Sequence, residues 1–432
     1  MNSLRNTVYL ALACYYLPHW LFRLWREPDF RSVVWQKMFW RKQVKPPSSN
    51  SQCVWLHGAS VGEITLLKPL VHRLVSNTDF AIMVTTYTSE GYQVAKGMFA
   101  DNVAVHYLPF DFSWTMRAFF RLVSPRLVVL SELELWPNLL DEARRRRLPV
   151  HVANSRMNHL DYKSYKRVMF FLRKPLRAIS WWGVQASTDA ERIRSLIPDR
   201  SEIICVTGNM KYDSASFNAC AGSKHEISRE AWGYSTNDLL LIAGSTHAPE
   251  EAILIESLRE LRQHCPSLYL ILAPRKPLRA CDIAQIAEDK GVSHRLSQSA
   301  YDCRKHQPAE VMIVNSVGLL KELWAIGDFA FVGGSLQTNH GGQNMLEPTA
   351  AGLPTCFGPN VFNFAAIVKD LIENDVACMV RCERELYLLL KQWIDTPEEA
   401  NMLGRRARSF VQSQIGATDI TYANILDAVR RS

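Results

Sequence analysis

Short apolar runs recur along this chain at intervals that leave room for a helix between neighbours. In the first half they are Cys53 to Leu56, Ala81 to Thr85, Val103 to Leu108, Leu127 to Leu130, Val150 to Ala153, Gly183 to Ala186 and Ile203 to Val206. Each run is continuous rather than alternating, the pattern of strands buried on both faces, and Ile64 to Leu74 repeats apolar residues at helical spacing. The pattern predicts βαβ units and a parallel sheet covered by helices. A polar stretch from Ser214 to Thr236 interrupts it, after which Leu239 to Ala243, Leu268 to Ala273, Val311 to Val314, Phe329 to Val332 and Pro354 to Phe357 start a second series. Two α/β halves are expected, with the boundary inside Met210 to Ser235. No internal sequence repeat is visible, so the duplication is one of architecture.

Before the first strand the pattern is different. Thr7 to Trp25 is nearly continuous apolar and aromatic residues, broken by Pro18 and His19 and flanked by Arg5, Arg23 and Arg26. A spanning helix needs roughly 20 apolar residues, and no small-residue cleavage site follows. Tyr, Trp and Arg settle at bilayer interfaces, so an uncleaved helix lying in or partly through the membrane is the preferred reading, and an amphipathic helix packed on its own protein is the alternative. A basic stretch with Lys37, Arg41, Lys42 and Lys45 then runs into Pro46-Pro47-Ser48-Ser49-Asn50 and reads as a linker. The expected divisions are a membrane-associated helix over 1–30, a basic linker over 31–50, an acceptor domain over 51–212, a donor domain over 213–400 and C-terminal helices over 401–432.

The ends of the predicted strands carry the chemistry. Trp55-Leu56-His57-Gly58-Ala59-Ser60-Val61-Gly62-Glu63 stops an apolar run at small residues and a carboxylate before a helical pattern. The carboxyl edge of an open α/β sheet is where ligands bind, so this stretch reads as a catalytic loop in which Gly58 and Gly62 let substrate approach the backbone. Glu63 could equally complement a helix dipole, with the small residues making a tight corner. Leu127 to Leu130 runs into Ser131-Glu132-Leu133-Glu134, whose two carboxylates share one face if the strand continues through them. Other strands run into Asn154-Ser155-Arg156 and Thr207-Gly208-Asn209-Met210-Lys211. A carboxylate pair, an Arg and a Lys therefore fall at one predicted edge. Nearby, Tyr162 to Arg177 interleaves Lys and Arg with Tyr, Phe and Leu, suiting either an anionic lipid headgroup or a solvated basic face.

In the second half, Gly244-Ser245-Thr246-His247 and Ala273-Pro274-Arg275 place hydroxyls, a His and an Arg at strand ends. Gly333-Gly334-Ser335 and Gly341-Gly342-Gln343-Asn344-Met345-Leu346-Glu347 follow. A glycine pair ahead of a helix gives backbone N–H groups room to meet a phosphate, and Glu347 is placed to accept from ribose hydroxyls. Plain turn glycines are the other reading. The spacing is neither GxGxxG nor a Walker loop, so a dinucleotide or ATP site is not supported.

Composition narrows the field. With 432 residues the chain exceeds one ordinary core, and 47% hydrophobic with 21% charged residues is globular rather than disordered. A net charge of +8 suits an anionic partner. The basic residues are dispersed and no recognition helix or RNA-binding signature appears, which argues against nucleic acid. The 10 cysteines include no CxxC pair and no nearby His cluster, so zinc or a disulfide framework is not expected.

With HGASVGE, SELELWPN, NSRM, GNMKYD, GSTH, APR, VGGSL, GGQNMLEP and GPNVFNF in this order, the chain resembles the 3-deoxy-D-manno-octulosonate (Kdo) transferases of lipopolysaccharide assembly over about residues 50 to 420. The resemblance implies an α/β GT-B glycosyltransferase with two Rossmann-like domains facing a cleft and an N-terminal membrane-anchoring helix. It also implies Kdo transfer from CMP-Kdo to a lipid A precursor, lipid IVA, at the cytoplasmic face of the cell inner membrane. The reaction would invert the anomeric carbon with Glu63 as base and no metal or cofactor. Ser60, Gly62, Glu132, Glu134 and Arg156 would orient the acceptor or be structural. Lys211, Ser245, Thr246, His247, Pro274, Arg275, Gly333, Gly334, Ser335, Gly341, Gly342, Asn344 and Glu347 would bind the donor. Two departures stand out: Asn315-Ser316-Val317-Gly318-Leu319-Leu320 lacks the carboxylates the family commonly has there, and Gln343 stands where a His is usual. A GT-B transferase using a UDP-sugar, or a membrane-associated binding protein without turnover, are the competing readings.

Overall fold

The structure is a computed structural model that describes residues 2–42, 44, 52–222, 229–299, 308–336 and 340–431. The Pro46 to Asn50 stretch lies outside the described residues. The chain divides into two units, Met1–Ser214 with Ile415–Ser432, and Ala215–Gln414.

The first unit is built on β1 (Cys53–His57), β2 (Ala81–Thr86), β3 (Val103–Tyr107), β4 (Leu127–Ser131), β5 (Val150–Ser155), β6 (Ile179–Val184) and β7 (Ile204–Val206). All are parallel, in the order β3-β2-β1-β4-β5-β6-β7. The continuous apolar runs follow from the two-residue period of a strand with helices on both sides. Trp55, Met83, Val128 and Leu130 enter one core, while Val54, Leu56, Val84 and Val129 enter the other. Each fully buried Leu or Val contributes roughly 1.5–3 kcal/mol.

The second unit repeats the plan with β8 (Leu239–Thr246), β9 (Leu268–Pro274), β10 (His294–Ser297), β11 (Val311–Val314), β12 (Phe329–Val332), β13 (Thr355–Phe357) and β14 (Cys378–Met379). The order is β10-β11-β9-β8-β12-β13-β14, again parallel throughout. Leu241, Leu270 and Phe331 face one core and Leu240, Ile271 and Ala330 the other. β10 and β14 close the sheet edges. The first is half-exposed and polar and the second has two residues, so neither makes an apolar run.

In both sheets the chain starts near the middle, winds one way, then crosses back and winds the other. The reversal falls between β1 and β4 and between β8 and β12. Loops at the carboxyl ends of two such strands diverge and leave a crevice, where α/β sheets place ligands.

Several expectations need correction. The 31–50 stretch is not simply a linker: a helix covers Pro28–Met38 and a 3₁₀ turn covers Trp40–Lys42, with Trp40 and Lys37 buried. Pro28 at the first helical position explains the break after the helix Asn2–Arg26. The C-terminal helices are not one block. Pro397–Ser413 belongs to the second unit, whereas Ala417–Arg431 returns to the first and buries Ile425 and Val429 in its core. The Asp213 carboxylate fastens that return by accepting from the Gly416 and Thr418 N–H groups at 3.2 and 3.1 Å. Among the described residues no helix is long and apolar enough to cross a membrane.

Candidate active site

At the β1–β4 reversal, Ser60 caps the helix Val61–Asn77, its side chain accepting from the Glu63 N–H. Glu63 reaches back along the turn. One carboxylate oxygen accepts from the Ala59 N–H at 2.8 Å and the other from the Ser60 hydroxyl at 3.0 Å. Gly58 suits this arrangement, since a Cβ there would stand 3.0 Å from the Glu63 Cβ, a tight contact. The space Gly58 clears is therefore filled by Glu63 itself, not by substrate, while a Cβ on Gly62 would be 3.9 Å from its nearest neighbour, the Ser60 Oγ. Burial pushes the Glu63 carboxyl up to about 7, against the Ala59 hydrogen bond and with the neighbouring Glu134 and Glu132 charges adding to the rise.

The two carboxylates after β4 do not share a strand face. β4 ends at Ser131, and Glu132 takes a left-handed backbone, φ +53°, with its N–H bonded to the Ala153 carbonyl at 2.8 Å. The turn separates their partners. Glu132 pairs with Lys211 at 3.5 Å, and Glu134 approaches the His57 Nε2 at 3.9 Å. Lys211, expected among the donor residues, therefore stands in the first unit at the Glu63 edge. Arg156 lies half-buried past β5, near Asp189, whose carboxylate accepts from the Met157 N–H at 2.9 Å.

A network that the apolar pattern did not reveal stands behind the loop. His57 is fully buried, with Nδ1 at 3.1 Å from the Thr85 carbonyl and 2.9 Å from its hydroxyl. Its Nε2 receives the Trp136 indole N–H at 3.2 Å. An indole only donates, so Nε2 is the acceptor and Nδ1 carries the proton. Trp136 stacks on Tyr87 at 5.1 Å between centroids, and the buried Lys37 ammonium sits 3.1 Å from the Tyr87 ring centroid. Burial lowers Lys37 to about 7. The N-terminal helices are thus tied to the Glu63 edge by aromatic and polar contacts. Tyr9 donates to the buried Asp111 at 3.2 Å, and the same carboxylate accepts from the Asn138 and Leu139 N–H groups at 3.0 and 2.8 Å.

In the second unit the β8–β12 reversal gathers Ser245, Thr246 and His247 with Gly333, Gly334 and Ser335. The glycine pair is not a phosphate cradle. Glu250, fully buried, accepts from the N–H groups of His247, Gly334, Ser335 and Leu336 at 2.9, 2.8, 2.9 and 2.9 Å. Gly333 is needed because a Cβ would lie 2.5 Å from the Thr246 Cα. Ser335 is also fully buried, its hydroxyl donating to the Val332 carbonyl and accepting from the Gly358 N–H. Glu250 was missed because sequence reasoning stopped at Ser245-Thr246-His247; a carboxylate three residues after His247 at a helix start was the signal.

Other groups at that edge remain turned outward. Arg275 and Lys276 are exposed just past Pro274, whose ring is buried at the end of β9. His247 stacks on His340 at 3.8 Å, and its buried Nε2 has no hydrogen-bond partner among the described residues. Burial, then His340, Arg279, Arg275 and Lys276, push His247 down to about 4, so the ring is neutral at pH 7. Gly341 and Gly342, both at φ +76°, lead to Asn344, which donates to the Glu347 carboxylate at 3.1 Å. A neutral imidazole, two cations and an amide–carboxylate pair suit an anionic, hydroxyl-bearing ligand. The Asn315 to Leu320 segment follows β11 as a bend with Val317 exposed and presents no carboxylate.

Residues 34–214 match the family model described as 3-Deoxy-D-manno-octulosonic-acid transferase (kdotransferase). The chain is 33% identical to the 3-deoxy-D-manno-octulosonic acid transferase of Haemophilus influenzae, over 91% of this chain and 90% of that one. It is 28% identical to the transferase of the same name from Bordetella pertussis, over 92% and 93%. Among solved structures, a UDP-GlcNAc 2-epimerase from Neisseria meningitidis bound to UDP-GlcNAc covers 88% of this chain and all of that chain (100%), with TM-score 0.58 and 11% identity, a likeness of fold alone.

Proposed function

Because the chain belongs to the 3-deoxy-D-manno-octulosonic acid transferase family and is a glycosyltransferase of lipopolysaccharide biosynthesis, we propose that it moves Kdo from CMP-Kdo to a lipid A precursor with inversion at the anomeric carbon, in a GT-B arrangement. The observation that carries the mechanism is Glu63, a carboxylate at the β1–β4 reversal raised to about 7. A base matched to working pH removes the proton of an attacking sugar hydroxyl as the C–O bond to the leaving CMP breaks. An inverting displacement needs no second protein carboxylate as nucleophile, which leaves Glu132 to hold Lys211 and Glu134 to tune Glu63.

The donor reading rests on the second unit. Arg275 and Lys276 would meet the phosphate of CMP, His247 Nε2 would complete its hydrogen bonding on that ligand, and Glu347 with Asn344 would hold ribose hydroxyls. Cations can stabilise the single phosphate of this leaving group, so the proposed reaction is written without metal or cofactor. Gly334 and Ser335 then act through the Glu250 scaffold rather than by touching the ligand.

The proposed location is the cytoplasmic face of the inner membrane, with residues 2–26 lying on the bilayer. Leu10, Leu12, Tyr15, Tyr16, Leu21, Phe22 and Trp25 are exposed on that helix, while Arg5, Asn6 and Tyr9 hold it to the first unit. The helix His159–Leu172 adds exposed Leu160, Val168, Phe170 and Phe171 beside Lys163, Lys166 and Arg167, and Arg5 bonds to the Phe171 carbonyl. Apolar side chains rimmed by cations suit an anionic lipid surface.

The test is mass spectrometry of a lipid A precursor incubated with the detergent-solubilised protein and CMP-Kdo, with a UDP-sugar in parallel. Kdo addition only with CMP-Kdo is the expected result. Transfer from the UDP-sugar alone, or none by folded wild type, would refute the substrate assignment.

A further inference from the structure

The first unit carries a cavity of about 730 Å³ at the amino ends of β5 and β6, and the proposed transfer reaction makes no use of it. β5 separates the cavity from the Glu132–Lys211 edge by the length of a six-residue strand, roughly 20 Å. Four arginines line it: Arg144, Arg147, Arg177 and Arg431. Arg144 is bound to Asp141 at 3.0 Å and Arg431 to Asp427 at 2.7 Å. Arg147 and Arg177 enter no ion pair among the described residues, and both are exposed to the cavity. Asp427 is the one carboxylate on the wall, so the lining is strongly cationic.

The floor is aromatic. His151 and Trp181 are register partners on β5 and β6, with ring centroids 5.4 Å apart. His151 is 3% exposed and Trp181 8% exposed. Guanidinium groups match phosphate oxygens in pairs, and flat rings accept a planar group by stacking.

We propose that this cavity binds a soluble phosphate monoester, with Arg147 and Arg177 on the phosphate and the His151–Trp181 floor packed against the organic part. The ligand is a nucleoside monophosphate or a compound of the same shape and charge, held apart from the site of transfer.

Isothermal titration of the full chain in neutral detergent tests this with AMP, inorganic phosphate and adenosine as probes. AMP is expected to saturate with a Kd at or below about 1 mM, more tightly than phosphate, while adenosine gives no binding. The Arg147→Gln/Arg177→Gln double variant, changed only at exposed side chains and checked by its melting temperature, should weaken AMP at least about tenfold. It should leave the transfer rate without AMP unchanged. AMP binding unaltered in the double variant would place the ligand elsewhere and overturn the proposal, as would no saturation in wild type. Equal affinity for AMP and phosphate would overturn the role given to His151 and Trp181. Binding of the arginines to anionic vesicles, with no response to any soluble probe, would replace the small ligand with a membrane.

Discussion

Glu63 and Glu250 occupy matching places in the two units, each near the start of the helix that follows a central strand, and each accepts backbone hydrogen bonds. They differ in what surrounds them. Glu250 takes four N–H donors in a fully buried pocket and locks the strand ends β8 and β12 together. Glu63 takes one N–H and one hydroxyl, and two other carboxylates press on it. A carboxylate saturated by backbone donors becomes part of the scaffold. One that is buried but under-supplied has a raised proton affinity, which is the property a general base working near neutral pH requires.

The sharpest break in that comparison is substitution by Gln, which keeps size and removes charge. Glu63→Gln should lower the transfer rate about a hundredfold to ten-thousandfold with little change in melting temperature. Glu250→Gln should act the other way. Its amide would turn a donor toward backbone N–H groups, and the loss of a buried, multiply bonded charge costs about 3–5 kcal/mol, read by urea unfolding. A rate loss in Glu250→Gln without loss of stability would contradict its structural assignment.

Between these lies the response to pH. A carboxyl raised in the folded state binds its proton more tightly folded than unfolded. Its contribution therefore favours folding most below the unfolded value of about 4.5, and is lost as pH rises through about 7. Asp111, raised to about 7 by burial, acts in the same direction. Stability of wild type relative to Glu63→Gln should fall between pH 5 and 7 (roughly the interval between the two values) in paired denaturant titrations. A flat difference would show that Glu63 is not raised.

The smallest effect expected is at Lys37→Met, which keeps the aliphatic stem and removes the ammonium beneath Tyr87. A cation–π contact of this kind is worth about 0.5–2 kcal/mol while the amine is charged, that is below its lowered value of about 7. The loss should appear in thermal stability, together with a fall in rate of less than about tenfold.

The layers of the fold were legible because both sheets are parallel and doubly covered, which turns each strand into an apolar run. What escaped was polar or short: β10, β14, and the helix Pro28–Met38 beneath its basic surface. Lys37 illustrates the reason. A lysine in a basic stretch reads as solvated, and only the tertiary placement of Tyr87 and Tyr107 shows where its stem and charge go. At the site, Glu63 was visible from its strand-to-helix turn, whereas Gly333, Gly334 and Ser335 suggested a phosphate loop. The sequence contains those N–H donors but does not reveal that Glu250, more than eighty residues earlier, takes those of Gly334 and Ser335 while the Gly333 N–H goes to the Gly244 carbonyl.

The central claim is that Glu63 is the base. The most direct measurement is the pH dependence of kcat/KM for Kdo transfer by wild type and Glu63→Gln. The account predicts that wild type falls tenfold per pH unit below a break near 7, and that the residual activity of the variant lacks this limb. A variant that retains the wild-type rate, or the same break, would contradict it.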